Sequence, residues 1–125
     1  MDIYSFIDTY KVYYNKWLKN TFKAQYPVIC DISSDILTSY LVNSFKDNNI
    51  KFISGTFNNN YHCWIEIDND IIDFTLIQFI SDYDINKPII DKKYHHHYNK
   101  AIEHEPSFTD IAGVNSFDMY LSKIK

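Results

Sequence analysis

Arginine is absent: all 12 basic residues of this 125-residue chain are lysine. Without a guanidinium fork there is no bidentate clamp for phosphate. The formal net charge is -4 and the lysines are scattered among acids, so the electrostatic footprint of a nucleic-acid binder is missing as well. No apolar run approaches the ~18 residues of a membrane span, and the first residues alternate charged with apolar ones, unlike a signal peptide. The chain is therefore expected to work in the reducing cytoplasm, away from membrane and nucleic acid. Its only cysteines, Cys30 and Cys63, are expected there as free thiols. Glycine and proline are scarce, at 2 and 3 residues, which argues for a compact fold with few irregular excursions.

What is present is apolar and aromatic. Hydrophobic residues make up 46% and aromatics 18%, enough for one domain over residues 1–125 with a real core. Ile3, Phe6, Ile7, Tyr10, Tyr13 or Tyr14, Trp17, Leu18 and Phe22 recur at a helical period, predicting a long amphipathic helix from Asp2 to about Lys23. Pro27 disfavours helix before it, and Val28-Ile29 leads as an extended segment into Cys30. A second stripe, Ile36, Leu37, Tyr40, Leu41 and Phe45, predicts another helix, with Asp31, Ser33, Ser34 and Asp35 as its capping chemistry. Ile50 to Phe57, Tyr61 to Ile67 and Ile71 to Thr75 read as strands, with Asn58-Asn59-Asn60 as a turn. Beyond Phe79, Pro88-Ile89-Ile90 reads as a short edge strand, Lys92 to Glu105 as irregular or helical, and Phe117 to Ile124 as a terminal helix.

Three residues carry the chemical argument: Cys30, His62 and Asp73. Strand parity puts His62, Trp64 and Glu66 on one face and Cys63, Ile65 and Ile67 on the other. If Asp68-Asn69 is a two-residue hairpin loop, Ile67 pairs with Asp70 and Ile65 with Ile72. His62 and Asp73 then become diagonal neighbours on one face, within reach of a hydrogen bond. Shifting the loop by one residue would oppose Glu66 to Asp73, a like-charge pair, so the first register is preferred. Cys30, at or just before a helix start, is placed where backbone N–H groups favour a thiolate. Beside His62 it would form a nucleophile, base and orienting carboxylate. Cys63, on the opposite face, is expected in the core with little reactivity. Trp64 has two roles open to it, sheet packing and shielding the site from water.

No metal or other cofactor is expected. His95-His96-His97, with His104 downstream, lack the spacing of a zinc site and read as a solvated loop. Asp68-Asn69-Asp70 lacks the glycine and glutamate of a calcium loop.

A Cys opening a helix, then His62-Cys63-Trp64 on a strand, then Asp73-Phe74-Thr75 on the next, resembles the transglutaminase-like branch of the papain-like cysteine hydrolases over residues 26–79. His62 and Trp64 match the family's His-x-Trp, and Asp73 and Thr75 match the outer positions of its Asp-Pro-Thr. Phe74 stands in place of that proline, and Asp31 follows Cys30 where the family commonly has tryptophan. The resemblance implies an α+β fold, with the Cys30 helix packed on a small antiparallel sheet. It also implies a cysteine-dependent amide hydrolase or acyl-transfer enzyme working through a thioester on a protein or peptide substrate, with glutamine deamidation or peptide hydrolysis leading. The Cys30 N–H is one candidate oxyanion donor and Gln25 another by the same resemblance, with Tyr26 or Tyr61 as alternatives; Thr75 and Gln78 either support Asp73 or end the strand, Gln78 being read as structural. The alternative reading is a non-catalytic protein-binding module of the same fold.

Overall fold

The computed structural model describes residues 1–105 and 111–124 and is mixed α+β. Helix α1 (Ile3–Thr21) begins where the Asp2 carboxylate accepts the Ser5 N–H at 2.7 Å, a side-chain cap on an otherwise orphaned donor. Its buried stripe runs through Ile3, Phe6, Ile7, Tyr14, Trp17 and Leu18, as the period predicts. Helix α2 (Cys30–Ser44) starts a turn earlier than its expected caps. Ile29 stands at its N-cap without a side-chain hydrogen bond, and Ser33 and Ser34 lie buried inside the helix. Burial of Ile29 at 1% exposure explains the earlier start. Desolvating a full aliphatic side chain contributes roughly 1.5–3 kcal/mol, more than the ~1 kcal/mol typical of a cap.

Strands β1 (Ile50–Phe57) and β2 (Asn60–Ile67) form a hairpin. Its two-residue turn, Asn58-Asn59, has φ of 48° and 69°, left-handed values that asparagine tolerates better than most residues. Strand β3 (Asp70–Ile72) follows a second tight turn in the predicted register, with Ile67 opposite Asp70 and Ile65 opposite Ile72. It stops short of Thr75 because the Asp73 N–H turns away to the Pro88 carbonyl, at 2.8 Å. The expected edge strand at Pro88-Ile89-Ile90 is reduced to a single bridge between Ile72 and Ile89.

The segment Lys92 to Glu105 departs most from expectation. After a 3-10 helix over Lys92–His97, strand β4 (Tyr98–His104) pairs antiparallel with β1, giving the sheet order β3-β2-β1-β4. Only Tyr98 of β4 is buried, so the apolar alternation that betrays a half-buried strand is missing. The register slips between Ser54 and Gly55. Gly55 lies so close to β4 that a Cβ there would sit 2.1 Å from the Asn99 carbonyl oxygen.

The sheet divides the interior. On one face Ile50, Ile65, Ile67, Ile72 and Phe74 pack against α1, α2 and α3 (Ile111–Ile124). On the other, Ile53, Phe57, Trp64, Ile71 and Tyr98 pack with Leu76 and Ile90 from the connection between β3 and β4. That second core holds the site. No helix among the described residues is long and apolar enough to cross a membrane.

Candidate active site

His62 is completely buried, on the β2 face that carries Trp64. Its Nε2 lies 2.6 Å from Asp73 Oδ2. The same oxygen accepts the Tyr98 hydroxyl at 2.8 Å, while Asp73 Oδ1 accepts the Thr75 N–H at 2.9 Å and the Thr75 hydroxyl at 3.3 Å. Four donors therefore converge on one carboxylate with 3% exposure, which is how a buried anion is made tolerable. The Asp-x-Thr spacing follows from this: the carboxylate accepts from the N–H two residues on, a local turn typical of aspartate. The intervening Phe74 points away into the helical core, edge-on to Tyr14 at 4.8 Å.

The network assigns the imidazole tautomer. A carboxylate only accepts, so Nε2 carries the proton and Nδ1 presents its lone pair. Nδ1 accepts the Gln78 carboxamide N–H, with Nε2 of Gln78 at 2.7 Å. Phe79 stands edge-on to the ring at 4.9 Å, with Trp64 behind it at 5.9 Å. Trp64 thus both packs the sheet and walls the imidazole.

Cys30, 8% exposed, is the first residue of α2. Strand β3 pairs only with Ile65–Ile67 of β2, so the Asn60–Trp64 half has no strand neighbour on that side among the described residues. Cys30 stands at that open rim as a neighbour of Cys63, with the Gln78 side chain within interaction range of its thiol. Gln78 links the two residues of the expected pair, Cys30 and His62: its carboxamide donates to His62 Nδ1 at 2.7 Å and lies within interaction range of the Cys30 thiol. Contact with Cys63, and then burial, push the Cys30 thiol up.

Cys63 takes its expected place in the core. It is fully buried and faces away from His62, but its environment is polar. Its sulfur lies 3.2 Å from the Tyr61 hydroxyl and 3.8 Å from Ser54 Oγ, and Ser54 Oγ lies 2.9 Å from His104 Nε2. Hydrogen bonding from Cys30 first, and then from Tyr61 and Ser54, brings the Cys63 thiol down to about 6. Strand parity sorts side chains between two faces; it is silent about a group arriving at the rim.

Of the proposed oxyanion donors, Gln25 lies exposed in the turn between α1 and α2, where its backbone closes turns with Phe22 and Val28. Gln78 is the amide at the site. The Tyr26 hydroxyl is buried without a hydrogen-bond partner, and Tyr61, 67% exposed, is committed to Cys63. The histidine run lies in the 3-10 helix, with His95 bonded to the Ile90 carbonyl and His97 to Asn58. No group of three or more His, Cys, Asp or Glu side chains suited to a metal ion occurs among the described residues. Sequence reasoning missed Tyr98 and undervalued Gln78, because a polar edge strand and a 3-10 turn leave little periodicity to read.

Buried tyrosines make alkali the weak direction. Burial, then Asp73, push the Tyr98 hydroxyl far up, and burial first pushes Tyr4 and Tyr83 up to about 12. A group raised in the folded state contributes stability that is complete below its unfolded value and is lost as pH climbs through the folded one. Thermal melts should therefore hold up to about pH 10, the ordinary tyrosine value, and fall steadily above it. Tyr98→Phe should flatten that fall; an unchanged alkaline slope would contradict this assignment.

Compared with protein-family models, curated proteins and solved structures, the chain matches none.

Proposed function

We propose that this chain is a cysteine-dependent amide hydrolase or acyl-transfer enzyme of transglutaminase-like, papain-like type, acting on a glutamine side chain of a protein or peptide. Cys30 is the nucleophile, His62 the base and Asp73 the orienting carboxylate. One observation carries the reading: with Asp73 on Nε2, the lone pair on Nδ1 is directed at a primary carboxamide, that of Gln78, which also lies within interaction range of the Cys30 thiol. On this reading Gln78 stands in for the substrate carboxamide, hydrogen-bonded to the base. The packing of α2 on an antiparallel sheet is the arrangement such an enzyme needs.

The chemistry follows from those positions. When Gln78 yields to a substrate amide, the Cys30 proton passes to His62 Nδ1 and the sulfur attacks the carbonyl carbon. Asp73 stabilises the imidazolium without taking its proton. The backbone N–H groups of Cys30 and Asp31, at a helix start whose N-cap Ile29 offers no side-chain acceptor, supply donors for the oxyanion, while the Ile32 N–H is taken by the Asp31 carboxylate. Cleavage of the C–N bond releases ammonia, which takes the Nδ1 proton, and leaves a thioester. A water deprotonated by Nδ1, or an amine in acyl transfer, then releases the sulfur.

Two measurements test this. Ammonia release from glutamine-containing proteins or peptides should vanish in Cys30→Ala, and Gln78→Ala should alkylate Cys30 with iodoacetamide several times faster than the parent. Retained ammonia release in Cys30→Ala, or labelling insensitive to both Gln78→Ala and His62→Ala, would return the chain to the alternative of a protein-binding module.

A further inference from the structure

Cys63, Tyr61, Ser54 and His104 have no part in the triad, but they adjoin its proposed nucleophile, Cys30. Two cysteines distant in sequence, one opening α2 and one in β2, become neighbours at the open rim of the sheet where α2 packs on β2, close enough for each thiol to act on the other. Three groups able to donate surround the Cys63 sulfur: the Tyr61 hydroxyl at 3.2 Å, Ser54 Oγ at 3.8 Å and the neighbouring Cys30 thiol. Hydrogen-bond donors gathered on a sulfur stabilise a thiolate, the reactive form towards oxidants. The Ser54–His104 contact at 2.9 Å leads from this sulfur to a partly exposed imidazole, a path for the displaced proton.

We propose that Cys30 and Cys63 form a reversible dithiol–disulfide site whose oxidant is a small hydroperoxide. The sulfur bearing the charge attacks one peroxide oxygen; the O–O bond breaks, and the departing oxygen leaves as water or an alcohol after taking a proton. The sulfenic acid so formed is attacked by the other sulfur. The S–S bond forms, the S–O bond breaks, and the oxygen departs as water. The two thiols lose two electrons together, and the peroxide gains them. A dithiol reductant reverses the step by exchange through a mixed disulfide. The proposal holds whether or not Cys30 is an acyl-transfer nucleophile. If it is, the disulfide removes that nucleophile and ties activity to redox state.

The test uses the intact chain treated with hydrogen peroxide and read by mass after iodoacetamide. The expected product is a monomer lighter by two hydrogens that takes up no alkyl group. Its digest should contain a peptide linking Cys30 to Cys63, and dithiothreitol should restore two alkylatable thiols. Tyr61→Phe, which removes an exposed hydroxyl and little packing, should slow disulfide formation several-fold. The proposal is overturned by sulfinic acid on one cysteine with the other still alkylatable, or by a disulfide that forms only between chains. Because the readout is a mass, loss of ammonia release from glutamine peptides would not affect it.

Discussion

Asp73→Asn is expected to leave the fold standing and to reduce turnover by roughly 10⁴-fold, the scale seen when a triad imidazole is held in the wrong tautomer. The new amide has two ways to sit. Keeping its oxygen towards His62 would set its NH₂ against the Thr75 backbone N–H, now 2.9 Å from Oδ1, a donor facing a donor that cannot turn. The reverse orientation keeps Thr75 satisfied and directs NH₂ hydrogens at His62 Nε2 and the Tyr98 oxygen. His62 must then move its proton to Nδ1, and Gln78 must turn its carbonyl to receive it. An Nδ1 that already carries a proton cannot take one from Cys30. The stability cost is a lost charge-assisted network and an orphaned Tyr98 O–H, about 1–3 kcal/mol. Nitrogen-resolved NMR of the imidazole should show the proton transferred from Nε2 to Nδ1. Activity within a few-fold of the parent would mean that Asp73 only braces the fold.

Gly55→Ala should be among the most damaging small substitutions in the chain. The added methyl would meet the Asn99 carbonyl oxygen at 2.1 Å and Trp64 Cη2 at 2.9 Å. The first contact is backbone, so β4 itself must move. Overpacking of this kind costs about 1–3 kcal/mol where side chains can yield and more where they cannot. A fall in melting temperature of roughly 10 °C is expected for a domain of this size. The damage should also reach the site, since Tyr98 adjoins Asn99 and donates to Asp73. Unchanged melting would show that β4 shifts without cost.

The β2–β3 register and the His62–Asp73 contact were legible because each residue there answers to a short-range rule: alternation, a two-residue turn and avoidance of a like-charge pair. The terminal helix was read only in part, as Phe117 to Ile124 within Ile111–Ile124. β4 was not legible. Its residues gain almost no burial, so nothing apolar marks them. Nor was the site's amide. Resemblance directed attention upstream to Gln25, whereas the turn that Asp73 begins delivers Gln78, and only the three-dimensional path of residues 73–79 shows which glutamine arrives.

The polarity that hid β4 serves another end. As the outermost strand it offers a row of backbone donors and acceptors that a second chain would find easy to extend. Lys100 stands on that strand between Glu66 and Glu103, at 2.9 Å and 2.6 Å. Two copies meeting edge to edge would have to bring these charges together and partly desolvate them. The cluster is a barrier to strand-by-strand polymerisation, so removing its charge should compromise colloidal behaviour before folding.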